Sequence, residues 1–90
     1  MIISGYQLRA ARTLIGLEQM ELSRRAKVGI ATLQRMEACG LDPVRGRLAT
    51  FERIRAALEA LGVEFINGDN PGVRLIKRHM TRPGKARRSR

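Results

Sequence analysis

The 90-residue chain has no tryptophan, a single tyrosine, two phenylalanines, one histidine and one cysteine. With only Tyr6, Phe51 and Phe65 as aromatics, recognition of single strands or RNA loops by base stacking has little to work with. The lone Cys39 excludes an intrachain disulfide, and with His79 the only histidine no metal-ligand set is expected. No carboxylate pair or Ser/His arrangement is available for acid–base or nucleophilic work, so neither an enzyme nor a cofactor is expected. No apolar run approaches 18 residues and nothing reads as a signal peptide. The expected setting is therefore the reducing cytoplasm, without membrane insertion.

What is present is aliphatic residues and positive charge. Leu, Ile, Val and Ala suit one small helical core, just large enough to fold alone and with no room for a sensor domain or an effector pocket. Eighteen Lys and Arg against eight Asp and Glu give a net charge of +10. Seven of those basic residues, and no acidic one, lie from Lys77 onward, leaving a body of only +3. The segment 78–90, rich in Arg with Pro, Gly and Ser and without an apolar period, is expected to be a disordered basic tail. Such a tail either tracks phosphates without reading sequence or serves only solubility.

The segment Glu18 to Gly40 carries the most information. Met20, Leu22 and Ala26 form a small apolar side opposite Glu18, Gln19, Arg24 and Arg25. Lys27, Val28 and Gly29 interrupt the pattern. Ile30, Leu33 and Met36 then recur at three-residue spacing, leaving Ala31, Thr32, Gln34 and Arg35 on other faces. Two amphipathic helices too short to stand alone must pack together, and a three- to four-residue turn between them is what a helix-turn-helix requires.

On these residues the chain resembles the lambda repressor and Cro type of helix-turn-helix regulators, the XRE family. Gln19 opens the first helix of the motif, Leu22 and Ser23 stand where the family has Leu-Ala, Val28 follows the turn, Leu33 is the buried aliphatic and Glu37 closes the second helix. The resemblance runs from about Tyr6 to Val63, because LRAARTLIGLEQ and LATFERIRAALEALGV are similar to the family's first and last helices. It implies a mainly α, four- to five-helix DNA-binding domain over residues 1–62, with the helix Gly29 to Glu37 in the major groove of double-stranded DNA. It also implies that Gln19 and Gly29 meet phosphates at helix N-termini, that Arg45 and Arg47 touch the DNA backbone, and that Arg12 and Glu37 form a structural ion pair.

Two departures fall in the turn: Lys27 occupies the position of a turn glycine, and Gly29 replaces the usual Ser or Thr cap. A third lies at the front of the recognition helix, where Ile30 and Ala31 offer only apolar contact, most naturally to thymine methyl groups. Arg35 is placed for a bidentate contact to guanine. Gln34 and Thr32 are placed to reach an adenine edge or a phosphate.

Helix 1 is expected from Ser4, a candidate N-cap, to Ile15, with Leu8, Ala11 and Ile15 inward and Gly16 ending it. Cys39 to Gly46 reads as loop, and Phe51, Ile54, Leu58 and Leu61 define a core-facing stripe on a helix from Gly46 to Leu61 capped by Gly62. Beyond Gly62 the period becomes two. GVEFI and GVRLIK flank the turn-rich NGDNPG, predicting a β-hairpin over residues 63–77. An isolated hairpin is marginal in water, so Val63, Phe65, Ile66, Val73, Leu75 and Ile76 are expected at a homodimer interface, by edge pairing or by face packing. The competing arrangement folds the hairpin onto the helices of its own subunit.

The function expected is that of a dimeric, sequence-specific transcriptional regulator on a palindromic operator, associated with the nucleoid, and the resemblance alone implies the minimal kind that often serves phages, mobile elements, restriction-modification control or toxin–antitoxin pairs. The alternative is a protein-interaction module, an antitoxin or antiactivator that uses the same fold to hold a protein partner.

Overall fold

The computed structural model describes residues 2–76; the basic segment 78–90 lies outside the described residues. Four helices, α1 (Gly5–Leu14), α2 (Gln19–Ala26), α3 (Ile30–Glu37) and α4 (Leu48–Ala60), are followed by strands β1 (Val63–Ile66) and β2 (Gly72–Leu75). The architecture is small and mainly helical with one antiparallel hairpin. None of these helices is long and apolar enough to cross a membrane.

Helix α1 starts where Ser4 predicts, and for a stronger reason than a single cap. The Ser4 hydroxyl accepts from the Gln7 backbone N–H while Gln7 Oε1 accepts from the Ser4 N–H, so the two residues form a capping box. The helix ends at Leu14, with Ile15 as its C-cap and Gly16 at a φ of +69°. Between α2 and α3 the turn consists of Lys27, Val28 and Gly29. Lys27 has φ +60° and ψ +47°, the left-handed conformation that the glycine-like position demands, and its N–H still caps α2 by donating to Ser23 and Arg24 carbonyls.

The core is one cluster drawn from all four helices and β1, with Val73 of β2 packed against it. Leu8 and Ala11 of α1, Leu22 and Ala26 of α2, Leu33 and Met36 of α3, and Phe51, Ile54 and Leu58 of α4 meet there, with Leu61 following. The stripe expected on α4 is therefore its buried face, although the helix begins two residues later than expected. Met20, expected on the apolar side of α2, is instead exposed, because Leu22 and Ala26 already fill the short helix's contact with the core.

The hairpin pairs Val63 with Leu75, Glu64 with Arg74, Phe65 with Val73 and Ile66 with Gly72. It folds back on its own subunit. Val63 and Phe65, expected at an interface between subunits, are core residues at 1% and 6% exposure, because the first strand packs against α1 and α4. Val73 and Ile66 are half-buried, and only Leu75 and Ile76 remain exposed. Gln7 holds the hairpin in place: its Nε2 donates to the carbonyls of Ile66 (3.0 Å) and Gly72 (3.2 Å) at the two ends of the turn. One buried amide thus caps α1 and latches the hairpin, which makes the hairpin part of the same core.

Candidate nucleic-acid interface

The α2–α3 pair is held to the rest of the domain by a buried polar network. Arg12 on α1 meets Glu37 at the end of α3 with two parallel bonds, Nε to Oε2 at 2.8 Å and an Nη2 to Oε1 at 3.0 Å. Its remaining Nη1 donates to the Leu17 carbonyl at 2.9 Å. Side-chain exposures of 15% and 5% make this a largely desolvated pair. The bidentate geometry, planar fork against planar carboxylate, also fixes the direction in which α3 leaves the core.

Gln19 continues the network toward the surface. Its Nε2 donates to Glu37 Oε1 at 3.0 Å, and its Oε1 accepts from Gln34 Nε2 at 3.4 Å. The side chain expected to meet a phosphate is therefore tied to α3. What α2 still offers an anion is its N-terminal backbone, because Glu18, its N-cap residue, makes no side-chain cap bond.

The same is true of α3 and α4, which start after Gly29 and Arg47 without side-chain caps. Of the four helices only α1 has its first N–H groups satisfied by a capping side chain.

On α3 the residues expected to contact DNA fall on the surface. Ala31, Gln34 and Arg35 are exposed, Ile30 and Thr32 are half-buried, and Leu33, Met36 and Glu37 are buried on the opposite side. Arg35 Nη2 donates to Thr32 Oγ1 at 3.3 Å, which holds the guanidinium along the outer face of the helix. Arg45 and Arg47 are exposed in the loop before α4.

The structure brings four of these residues together. Thr32, Arg35, Arg45 and Arg47, joined by Gly46 and Thr50, line one polar hollow of about 340 Å³ between α3 and the start of α4. Three arginines, two threonines and the uncapped N-terminus of α4 border it, residue types suited to phosphate oxygens. Ile30, Ala31 and Gln34 lie outside this hollow, along the outer side of α3. Thr50 was not singled out in the sequence. Only the proximity of α4's first turn to α3 gives it a place, and no periodicity signals that.

Titration adds little here. Glu21 lies on the exposed side of α2, where the hydrogen bond from Arg24 lowers its carboxyl below the usual range, with Arg25 assisting. Arg55 is raised by its hydrogen bonds to Glu52 and Glu59 on α4. Neither group lines the hollow between α3 and α4. Among the described residues there is no cluster of three His, Cys, Asp or Glu that would hold a metal.

No protein-family model matches the chain, and no curated protein is significantly similar to it.

Proposed function

We propose that the protein is a sequence-specific double-stranded DNA-binding regulator of the lambda repressor and Cro type, acting as a homodimer on a palindromic operator in the nucleoid. The observation that carries this reading is the convergence of Arg35 and Thr32 of the exposed α3 face with Arg45, Arg47 and Thr50 around one polar hollow. Phosphate contacts position a protein on the duplex and base contacts specify the sequence. The hollow supplies the first kind. Ile30, Ala31, Gln34 and Arg35 along α3 supply the second, with Arg35 also bordering the hollow.

Several features support the motif. Lys27 adopts the left-handed turn conformation, Arg12 pairs with Glu37, and Leu33 is fully buried, each at the position that the resemblance to the family implies. The neutral, apolar opening of α3 favours thymine methyls over hydrogen-bonded readout at its first two positions. Two recognition helices about 34 Å apart would read half-sites separated by about one turn of DNA.

A second reading, a module that holds a protein partner, is favoured by the same Ile30-Ala31 start of α3. Arg35→Ala separates the two. A DNA reader loses specific affinity by about 1 to 3 kcal/mol and relaxes selectivity at one base pair. Unchanged operator selectivity in a mobility-shift titration of this variant would remove Arg35 from the base-reading set. Arg45→Ala and Arg47→Ala are expected to weaken all duplexes alike and to lower the salt dependence by about one counterion each.

A further inference from the structure

With Val63 and Phe65 in the subunit's own core, the hairpin leaves only Leu75 and Ile76 as exposed large apolar side chains, and a larger exposed apolar surface lies elsewhere. The three most exposed large apolar side chains among the described residues are Ile2 at 72%, from the N-terminal segment, Leu41 at 83%, from the loop before α4, and Leu48 at 73%, the first residue of α4. They gather on one face. Ile2, Leu41 and Pro43 border a hollow of about 620 Å³ that also reaches Pro71 in the hairpin loop. Ile2, Pro43 and Leu48 border a second hollow of about 170 Å³. The two hollows share Ile2 and Pro43 as a common ridge.

We propose that this face, centred on Ile2, Leu41 and Leu48, is the seam of a two-fold homodimer. A two-fold contact joins one surface to itself and therefore needs projections and recesses on the same patch. Here an apolar ridge stands between two recesses, so the ridge of one copy has a recess to enter on the other. Charge selects the occupant as well. The chain carries +10, yet no residue lining the larger hollow is charged and Arg45 is the only charged residue lining the smaller. An acidic partner would gain nothing from this face, whereas two basic copies meet across it with the least repulsion. A contiguous apolar patch of this kind is what marks an association surface on a small protein.

Continuity with the phosphate-binding hollow gives the second argument, which rests on the DNA reading. Arg45 and Gly46 line both the smaller apolar hollow and the polar hollow of Thr32 and Arg35. A two-fold contact through the apolar face thus sets both polar hollows beside the seam.

The test uses full-length protein with Leu41→Glu, Leu48→Glu and the pair, and with Ile76→Glu on the hairpin as comparison. All of these side chains are exposed in the subunit, so circular dichroism should show an unaltered fold. Sedimentation equilibrium is expected to show a wild-type dimer, an Ile76→Glu dimer, and a loss of dimer affinity of about 100-fold or more in the Leu41→Glu/Leu48→Glu protein. A monomeric wild type, or a dimer that survives the double substitution, overturns the seam, and loss of the dimer with Ile76→Glu would place the contact on the hairpin instead. Duplex selectivity measured on the same samples separates the two ideas. A monomer that still selects a half-site refutes only the seam, whereas a dimer that is lost in the double variant but never selects a sequence refutes only the DNA reading.

Discussion

Arg12 and Glu37 lie 25 positions apart in the chain and meet through two bonds of 2.8 and 3.0 Å, joining α1 to the end of α3. The pair is almost dry, and Glu37 also receives Gln19. It sets the orientation of α3 relative to the core, and through Gln19 and Gln34 the exposed side of α3 is tied to the same carboxylate. Removal of either partner leaves a desolvated charge unmatched. Arg12→Ala or Glu37→Ala is expected to destabilise the domain by about 3 to 5 kcal/mol in urea unfolding. Joint replacement, Arg12→Met with Glu37→Leu, is expected to cost less than the two single changes together. Strict additivity would show that the two charges do not interact.

Gly5 is the first residue of α1, and there the backbone of α1 touches the end of α3. A Cβ at this position would lie 2.7 Å from the carbonyl oxygens of Met36 and Glu37 and from the Gly40 nitrogen, all of them backbone atoms. Gly5→Ala must push α1 away from α3 or unfold its first turn, with a loss of about 2 kcal/mol or more expected from overpacking. An unchanged midpoint in thermal unfolding would contradict this close approach.

Lys27 carries the opposite strain. A lysine at φ +60° gives up about 1 to 2 kcal/mol relative to a relaxed backbone; glycine relieves that strain, and the larger entropy its unfolded chain loses on folding offsets part of the gain. Lys27→Gly is expected to stabilise the protein by about 0.5 to 1 kcal/mol, a rise in Tm of a few degrees for a domain of this size. A lower Tm would mean that the lysine side chain contributes contacts that outweigh its backbone strain.

Much of this fold is legible in the sequence because periodicity reports burial. Leu33, Met36, Phe51, Ile54 and Leu58 announce their buried faces by spacing alone. Lys27, Arg12 and Glu37 required the resemblance to a family, since no local pattern shows that two charges distant in sequence will meet. Gly5 and Gln7 were silent for the same reason. The need for a glycine at the α1–α3 crossing, and for an amide under the hairpin turn, arises only when distant segments approach. The hairpin itself was readable by its alternation, but its partner was not. Val63 and Phe65 have the same pattern whether they face a second subunit or α1 and α4, and tertiary packing decided for the helices. At the interface, α3's exposed face was visible as helical geometry, whereas the hollow that joins Thr32 and Arg35 to Arg45, Arg47 and Thr50 depends on how the loop after α3 returns.

The central claim is that α3 reads a duplex sequence, and selection of bound sites from a random double-stranded DNA library at near-physiological salt tests it most directly. The expected result is one enriched palindrome with half-sites about one helical turn apart, containing thymine opposite Ile30 and Ala31 and a guanine whose enrichment disappears with Arg35→Ala. Recovery of no motif by wild-type protein that binds duplexes only through charge would contradict the claim and leave α3 as a surface for a protein partner.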